Sequence, residues 1–286
     1  MIFFCYLSVI PLIGGFHFFS QPFKRFSGKK IEKPHELSKK YQLITIAPAG
    51  IYGFYELGVC DYIKKNYDLT NCLYSGASAG AWNCLFMSYK KQDDRLLNTI
   101  LNINTTNIRQ AIELEYLLKD IIVNKYTIEE FDLHKMYVGV FTFDNNEFKP
   151  EIYNDFIDLH DALDCCIASS HIPFISGPLL NYYRDKISLD GGFIKDPYLK
   201  TIETSLHITP TIWKTEIPYI GLNFKLFDMI QNKEYKILIE QLKGFLNIKE
   251  LEPMKLYLEG YLDTLENKES LDKIFKKKQL YINGNT

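Results

Sequence analysis

The chain has 286 residues, of which 47% are hydrophobic and 24% are charged, and its formal net charge is -2. This balance is typical of a globular protein with a sizeable core and excludes a disordered chain. The slight negative charge argues against nucleic acid as the main partner, because nucleic-acid-binding domains carry an excess of basic residues. The six cysteines show no metal-ligand spacing, which predicts buried free thiols in a reducing compartment.

The first twenty residues form a hydrophobic N-terminal segment. Residues 2–19 carry no formal charge and are about long enough for one membrane-spanning helix, although Pro11 and two glycines interrupt them. The basic residues, from Lys24 to Lys33, follow this segment instead of preceding it as in a signal peptide. We therefore expect a membrane anchor or inserted hairpin at 1–20, with the rest of the chain facing the cytoplasm. A cleaved signal peptide and a hydrophobic arm that is buried or lies on a surface are the alternatives.

A basic linker at 21–41 leads to the first predicted strand, at 42–47, where the residues are apolar and β-branched. The small residues of 48–53 then predict a turn, and the apolar spacing of 54–66 predicts a helix. A turn of this kind presents backbone N–H groups to an anion, as the oxyanion hole of a hydrolase requires. A dinucleotide-binding loop is the alternative, but its glycine pattern is incomplete here.

The motif Gly76-Ala77-Ser78-Ala79-Gly80 follows a short apolar run and precedes a helix predicted at 79–90. A strand, a tight turn and a helix in this order are what a nucleophile elbow requires. Glycines on both sides of the serine leave room for the turn, and the N–H groups at the start of the helix favour developing negative charge. The motif predicts that Ser78 is the nucleophile of a serine hydrolase.

The remaining chain alternates between predicted helices and strands. A helical pattern spans 93–124, and a capping box opens a short helix at Thr127. Further elements are predicted in the following order: a strand at 137–143 paired with 147–153, a helix at 161–169, a strand at 186–189, a strand at 206–208, and amphipathic helices at 235–246 and 252–265. The strand at 186–189 delivers the motif Asp190-Gly191-Gly192.

Three blocks of the sequence occur in an order and at a spacing that match a known family. They are the loop and helix at 46–59, the serine motif at 76–80 and the aspartate-glycine motif at 190–192, preceded by a Ser-rich segment at 168–174. Together they resemble the patatin-like phospholipases, in particular the branch that contains triacylglycerol lipases and adiponutrin-type proteins. The resemblance covers about 42–210.

The resemblance implies a three-layer α/β fold with a mainly parallel central sheet. It implies a catalytic domain at 42–210, and the amphipathic pattern that follows predicts a helical C-terminal region at 211–286. It also implies a catalytic dyad in which Ser78 attacks an ester and Asp190 takes and returns the proton. The implied oxyanion donors are the N–H groups of Gly50 and of Ala49 or Ile51, since Pro48, where the family usually has glycine, has no N–H. The motif glycines are Gly53, Gly76, Gly80, Gly191 and Gly192.

The function implied by the resemblance is hydrolysis of lipid acyl esters, as in a phospholipase, lysophospholipase or triacylglycerol lipase. The expected substrate is a phospholipid or neutral lipid at a membrane or lipid surface. No metal or organic cofactor is expected, and no acidic loop resembles a calcium site. The alternatives are a catalytically weak or inactive lipid-surface-binding protein that retains the fold, and a lipid acyltransferase.

Two further hypotheses concern histidines and aromatic residues. Ser78, Asp190 and His207 follow the chain order of an α/β-hydrolase triad, but a histidine in an apolar strand is more often structural. His171, beside the Ser-rich segment, is interpreted in the same way. The aromatic residues expected to contribute to an acyl channel are Tyr52, Phe54, Tyr182 and Tyr183.

Overall fold

The computed structural model describes residues 40–105, 107–213 and 251–278. The predicted hydrophobic segment 1–20, most of the basic linker and the predicted helix at 235–246 lie outside the described residues. No helix in the described ranges is long and apolar enough to cross a membrane. The five cysteines in these ranges are all buried and free, as predicted.

The fold is α/β, with helices packed against one mixed seven-stranded sheet whose central strands are parallel. This agrees with the predicted three-layer α/β class. The strands are β1 (Gln42–Ile46), β2 (Cys72–Gly76), β3 (Met136–Asp144), β4 (Glu147–Tyr153), β5 (Tyr182–Tyr183), β6 (Lys186–Leu189) and β7 (Thr204–Ile208). The helices are α1 (Gly53–Asn66), α2 (Ala79–Ser88), α3 (Arg95–Leu101), α4 (Ala111–Lys125), α5 (Leu159–Ser169), α6 (Pro253–Glu266) and α7 (Lys268–Asp272).

The parallel core of the sheet runs in the order β7, β1, β2, β3. Every residue of β2 is buried, as are four of the five residues of β1. A parallel strand covered on both faces is apolar along its whole length, which is why these two strands are readable from the sequence. Ile46 pairs with Gly76, so β1 and β2 end side by side.

Strand β3 is longer than its parallel neighbours and brings two other strands together. Val138 pairs with Gly76 of β2 and, on the opposite edge, with Tyr153 of β4. Further along β3, Phe141 pairs with Leu189 of β6 and again with β4 on the opposite edge. Strands β2 and β6 therefore share one edge of β3 and run towards each other, since β2 is parallel to β3 and β6 is antiparallel.

Two-residue turns set the register of both hairpins. The turn between β3 and β4 has Asn145 and Asn146 at φ values of 49° and 63°, and the turn between β5 and β6 has Arg184 and Asp185 at 48° and 62°. Positive φ at both central residues is typical of a type I′ turn. The guanidinium of Arg184 donates to Asp161 at 2.7 Å, which holds the second turn against the start of α5.

The long helical pattern predicted at 93–124 is wrong in one respect: the segment is two helices, α3 and α4. The residues between them include asparagines and threonines, which favour caps and turns over helix interiors. Helix α3 ends at Leu101, with Asn102 as its C-cap residue. The two-residue strand β5 was not predicted, because it is too short to show an alternating pattern.

Helix α6, predicted at 252–265, packs closely on α1. A Cβ atom on Gly58 of α1 would lie 2.1 Å from the backbone oxygen of Tyr257, and one on Gly260 of α6 would lie 2.0 Å from that of Tyr55. Glycine at both positions lets the two helix backbones touch. The hydroxyl of Tyr257 also donates to Asp61 at 2.8 Å. This contact attaches α6 to α1, the helix that follows β1.

Lys64 of α1 holds the C-terminal end of α2. Its Nζ atom donates to the backbone oxygens of Phe86 at 2.7 Å and Tyr89 at 2.6 Å, and the lysine is buried. The last carbonyls of a helix have no partner within the helix and must be satisfied from outside. Lys64 supplies that partner for Tyr89 and a second donor for Phe86, whose oxygen also accepts from the backbone N–H of Tyr89 at 3.2 Å.

Replacing Lys64 with methionine should destabilise the fold, because two backbone oxygens then lose a buried donor. We expect the free energy of unfolding in urea to fall by about 1–3 kcal/mol, the cost of one unsatisfied buried acceptor, since the oxygen of Phe86 still accepts from the N–H of Tyr89. Lys125→Met, the same change at an exposed position in the last turn of α4, is the control and should change it by less than about 0.5 kcal/mol. Equal effects of the two substitutions would contradict this role of Lys64.

Candidate active site

Ser78 lies in the tight turn between β2 and α2, with φ of 54° and ψ of -128°. Positive φ is uncommon for a residue with a side chain, and a strained serine between a strand and a helix is the geometry of a nucleophile elbow. The backbone N–H of Ser78 donates to Oγ of Ser169 at 2.8 Å, and that hydroxyl donates to the backbone oxygen of Gly139 at 2.6 Å. These bonds tie the turn to α5 and to β3.

The two glycines of the serine motif allow close backbone approach. A Cβ atom on Gly80 would lie 2.2 Å from the backbone oxygen of Ile46, at the end of β1. A Cβ atom on Gly76 would lie 2.4 Å from the backbone oxygen of Gly80. No side chain fits at either position, so α2 can start directly over the ends of β1 and β2.

Asp190 follows β6 and lies against Ser78. The Oγ atom of Ser78 donates to Oδ2 of Asp190 at 2.8 Å, and the backbone N–H of Gly192 donates to Oδ1 at 2.6 Å. The backbone N–H of Asp190 donates to the oxygen of His171 at 2.7 Å. Ser78 is 7% exposed and Asp190 is 2% exposed. The carboxylate is therefore oriented by the backbone and has the serine hydroxyl as its partner.

Gly191 explains how the two strand ends come so close. A Cβ atom there would lie 2.2 Å from the backbone oxygen of Gly139 and 2.7 Å from Cβ of Ala77, the residue before Ser78. The chain after Asp190 thus passes directly over β3 and beside the elbow.

Burial raises the pKa of Asp190 from 3.8 to about 7, although the hydrogen bonds from Gly192 and Ser78 act in the opposite direction. A free aspartate is too weak a base for proton transfer at neutral pH, and general bases work best when their pKa lies near the operating pH. The burial of Asp190 moves the carboxylate towards that range.

The loop after β1 reaches the same site. Gly50, with φ of 52°, and Ile51 line a cavity together with Ser78 and Ala79. Within the described ranges, neither the backbone N–H of Gly50 nor that of Ile51 donates a hydrogen bond. Ala49 is fully buried, and its backbone oxygen accepts a hydrogen bond from Tyr52. Of the three predicted oxyanion donors, Gly50 and Ile51 therefore lie on the wall that also carries the serine.

Gly53, the remaining motif glycine, joins this loop to the elbow. A Cβ atom on it would lie 2.7 Å from Cβ of Ala79, and its backbone oxygen accepts a 3.0 Å hydrogen bond from Nδ2 of Asn83 on α2. The loop and the first turn of α2 are therefore in direct contact.

The cavity beside Ser78 has a volume of about 130 Å³ and a mostly apolar wall. Its apolar lining includes Phe54, Leu57, Leu85, Phe86, Leu96, Ile100, Leu114, Leu118 and Ile122. Its side chains with hydrogen-bonding groups are Ser78, Trp82, Asn83, Glu115 and Ser170. Apolar walls with a few convergent polar groups are typical of a small-molecule site.

Neither of the two histidines considered from the sequence bonds Ser78 or Asp190 through its side chain within the described ranges. His207 on β7 shares a 2.8 Å hydrogen bond with Oγ1 of Thr45, and no hydrogen bond joins it to Ser78 or Asp190 in the described ranges. The side chain of His171 is buried, and burial lowers its pKa. Its contact with Asp190 is through the backbone oxygen.

The four aromatic residues proposed for an acyl channel are not all in one place. Phe54 lines the cavity. Tyr182 is exposed, whereas Tyr183 is buried and donates its hydroxyl hydrogen to Asp161. Among the described residues, no group of three or more His, Cys, Asp or Glu side chains is arranged to hold a metal ion.

Sequence reasoning missed two polar residues of this site. Ser169 lies in the Ser-rich segment 168–174. Its hydroxyl links the backbone of Ser78 to that of Gly139, and this link depends on where α5 ends. Glu115 lies within the helical pattern predicted at 93–124, and the cavity that it lines was not predicted. An acidic residue among the apolar positions of α4 is a signal that could have pointed to it.

Comparison of the chain with protein-family models gives no match, and comparison with curated protein sequences gives none either.

Replacing Asp190 with asparagine should raise stability at alkaline pH more than at acidic pH. The pKa of Asp190 is higher in the folded state than in the unfolded state, so the folded state loses stability as pH rises from about 4 to about 7. Asparagine removes this loss, so its stabilising effect should grow across that range by on the order of 4 kcal/mol.

The measurement is urea unfolding of both proteins between about pH 4 and pH 8. Asp185→Asn, at an exposed turn residue with positive φ that asparagine tolerates, is the matched control. A stability difference between the Asp190→Asn variant and the original chain that does not change with pH would contradict the raised pKa.

Proposed function

We propose that this protein is a serine-type hydrolase of lipid acyl esters with a patatin-like fold. The observation that carries the proposal is the 2.8 Å hydrogen bond from Ser78 Oγ to the buried carboxylate of Asp190 beside an apolar cavity. The proposed substrate is a phospholipid or neutral lipid presented by a membrane or lipid surface.

In the first step, Asp190 takes the hydroxyl proton as Ser78 Oγ attacks the ester carbonyl carbon. The carbonyl oxygen becomes negatively charged, and the N–H groups of Gly50 and Ile51 are suited to donate to it because they have no other acceptor in the described ranges. One donor of this kind contributes roughly 3 kcal/mol to the transition state in comparable hydrolases. The tetrahedral intermediate then expels the alcohol, which receives the proton from Asp190, and leaves an acyl-serine.

In the second step, Asp190 removes a proton from water as the water oxygen attacks the acyl-serine. The intermediate collapses to the free acid, and the proton returns to Ser78. Ser78 and Asp190 act in both steps. The apolar wall formed by Phe54, Leu118 and their neighbours would hold the acyl chain, since burying each CH₂ group contributes about 0.8 kcal/mol.

Activity should depend on Ser78 and Asp190 and not on His207. We expect Ser78→Ala and Asp190→Asn to lower kcat/KM on lipid esters by about 10⁴-fold or more, because each removes an essential part of one unit. His207→Ala should retain most of the activity, because His207 is bonded to Thr45 and not to the dyad. The assay is fatty-acid release from a panel of phospholipids, lysophospholipids and triacylglycerols.

Labelling with a fluorophosphonate distinguishes the proposal from its alternatives. The folded protein should label at Ser78, and the Ser78→Ala variant should not. A folded protein that never labels and releases no fatty acid would support an inactive lipid-binding protein instead. Transfer of the acyl group to an added alcohol in preference to water would favour an acyltransferase. Loss of activity in a folded His207→Ala variant would favour a triad.

The pH dependence of kcat/KM should report Asp190. The mechanism needs its ionised form as the base, and its pKa is about 7, so activity should rise through neutral pH and level off at about pH 8. The measurement is the initial rate at low substrate concentration between about pH 5 and pH 9. A profile already flat from pH 5 would show that no base with this pKa is required.

A further inference from the structure

Glu115, on α4, is the one ionisable carboxyl group among the described residues that line the cavity. Its neighbours on the same wall of α4 are Leu114 and Leu118, and Ile122 follows two turns later. Carboxylic side chains are rarely placed in apolar surroundings without a partner. Its presence beside Ser78 therefore calls for a specific reason.

One oxygen of the Glu115 carboxyl group is not satisfied by the protein. Its Oε2 atom is buried and has no hydrogen-bond partner. The hydroxyl of Ser170 is close enough to interact with this carboxyl group, and it lowers the pKa of Glu115. That hydroxyl already donates to the backbone oxygen of Cys166 at 3.0 Å and accepts from Nε1 of Trp82 at 3.2 Å. Because a serine has one hydrogen to donate, the carboxyl group of Glu115, a residue that lines the cavity, retains hydrogen-bonding capacity.

Glu115 lines the same cavity as Ser78. It is close enough to Asp190 for the charge of that residue to act on it. Burial, together with this charge, raises the pKa of Glu115 well above its ordinary value, and the Ser170 hydroxyl lowers it only in part. A neutral carboxyl group has one donor and also accepts, and an alcohol hydroxyl has the same combination.

We propose that Glu115 is a specificity-determining residue that binds an alcohol hydroxyl close to the scissile ester. The inference rests on the proposed ester hydrolysis. The hydroxyl could belong to the leaving alcohol, as in a monoacylglycerol, or to the acyl chain, as in a hydroxy fatty acid ester. In both cases the bound hydroxyl gives the carboxyl group of Glu115 a partner that the protein does not supply.

The energetic consequence is a preference for the hydroxylated substrate. A hydroxylated substrate gains a hydrogen bond to Glu115 that a substrate without the hydroxyl cannot make, and sites built to bond a hydroxyl strongly reject analogues that lack one. We expect at least a roughly tenfold preference in kcat/KM, which corresponds to one good hydrogen bond.

The experiment compares two matched pairs of esters. The first pair is monopalmitoylglycerol and the same compound with both free hydroxyls methylated. The second pair is methyl 3-hydroxypalmitate and methyl 3-methoxypalmitate. A preference within the first pair assigns the hydroxyl to the leaving alcohol, and a preference within the second assigns it to the acyl chain.

The variants separate recognition from packing. Glu115→Met keeps the length of the side chain but removes the hydrogen bond, so the preference should fall to less than about twofold. Glu115→Gln still donates and accepts, so it should retain most of the preference. Glu113→Met, the same change at an exposed position of α4, should leave the preference unchanged.

Failure of this inference is distinguishable from failure of the proposed function. If the protein hydrolyses all four esters through Ser78 without preference, or if Glu115→Met keeps the preference, the inference is overturned while the hydrolase remains. If no ester is hydrolysed and Ser78 does not label, the proposed function itself is wrong. Should Glu115→Met not fold, the absence of a preference in the original chain would still overturn the inference.

Discussion

The candidate site depends on two strands that end against each other along one edge of β3. Strand β2 runs towards Ser78 and β6 runs towards Asp190 from the opposite direction, and both pair with β3. Gly139 of β3 accepts a hydrogen bond from Ser169 and also marks where Gly191 passes over the sheet. This pairing brings together two residues that are 112 positions apart.

Bringing Ser78 and Asp190 together in a buried site also destabilises the folded state. Asp190 loses its hydration, which raises its pKa towards the range of a useful base, and Ser78 has a strained backbone. The surrounding structure must hold both. Lys64 secures the far end of α2, and the contact between α1 and α6 secures α1 in turn. Strain and a buried charge of this kind are typical of sites that perform chemistry.

Much of the fold could be predicted from local patterns. The buried strands β1 and β2, the helices after them and the pairing of β3 with β4 all follow from apolar runs, glycines and β-branched residues. The break between α3 and α4 and the short strand β5 were missed, because a few polar residues or a two-residue strand leave weak signals. The Ser169 bridge and the position of Glu115 depend on packing between distant elements.

By itself, the sequence determined the serine turn and the aspartate at the end of a short strand, because glycine spacing and strand patterns act over a few residues. The resemblance implied the pair of Ser78 and Asp190, but only the tertiary structure decided their 2.8 Å hydrogen bond, the bond of His207 to Thr45 and the position of Glu115 on an apolar cavity. Hydrogen bonds between distant residues depend on strand register and helix packing. Those properties belong to the assembled sheet and not to any one segment of the chain.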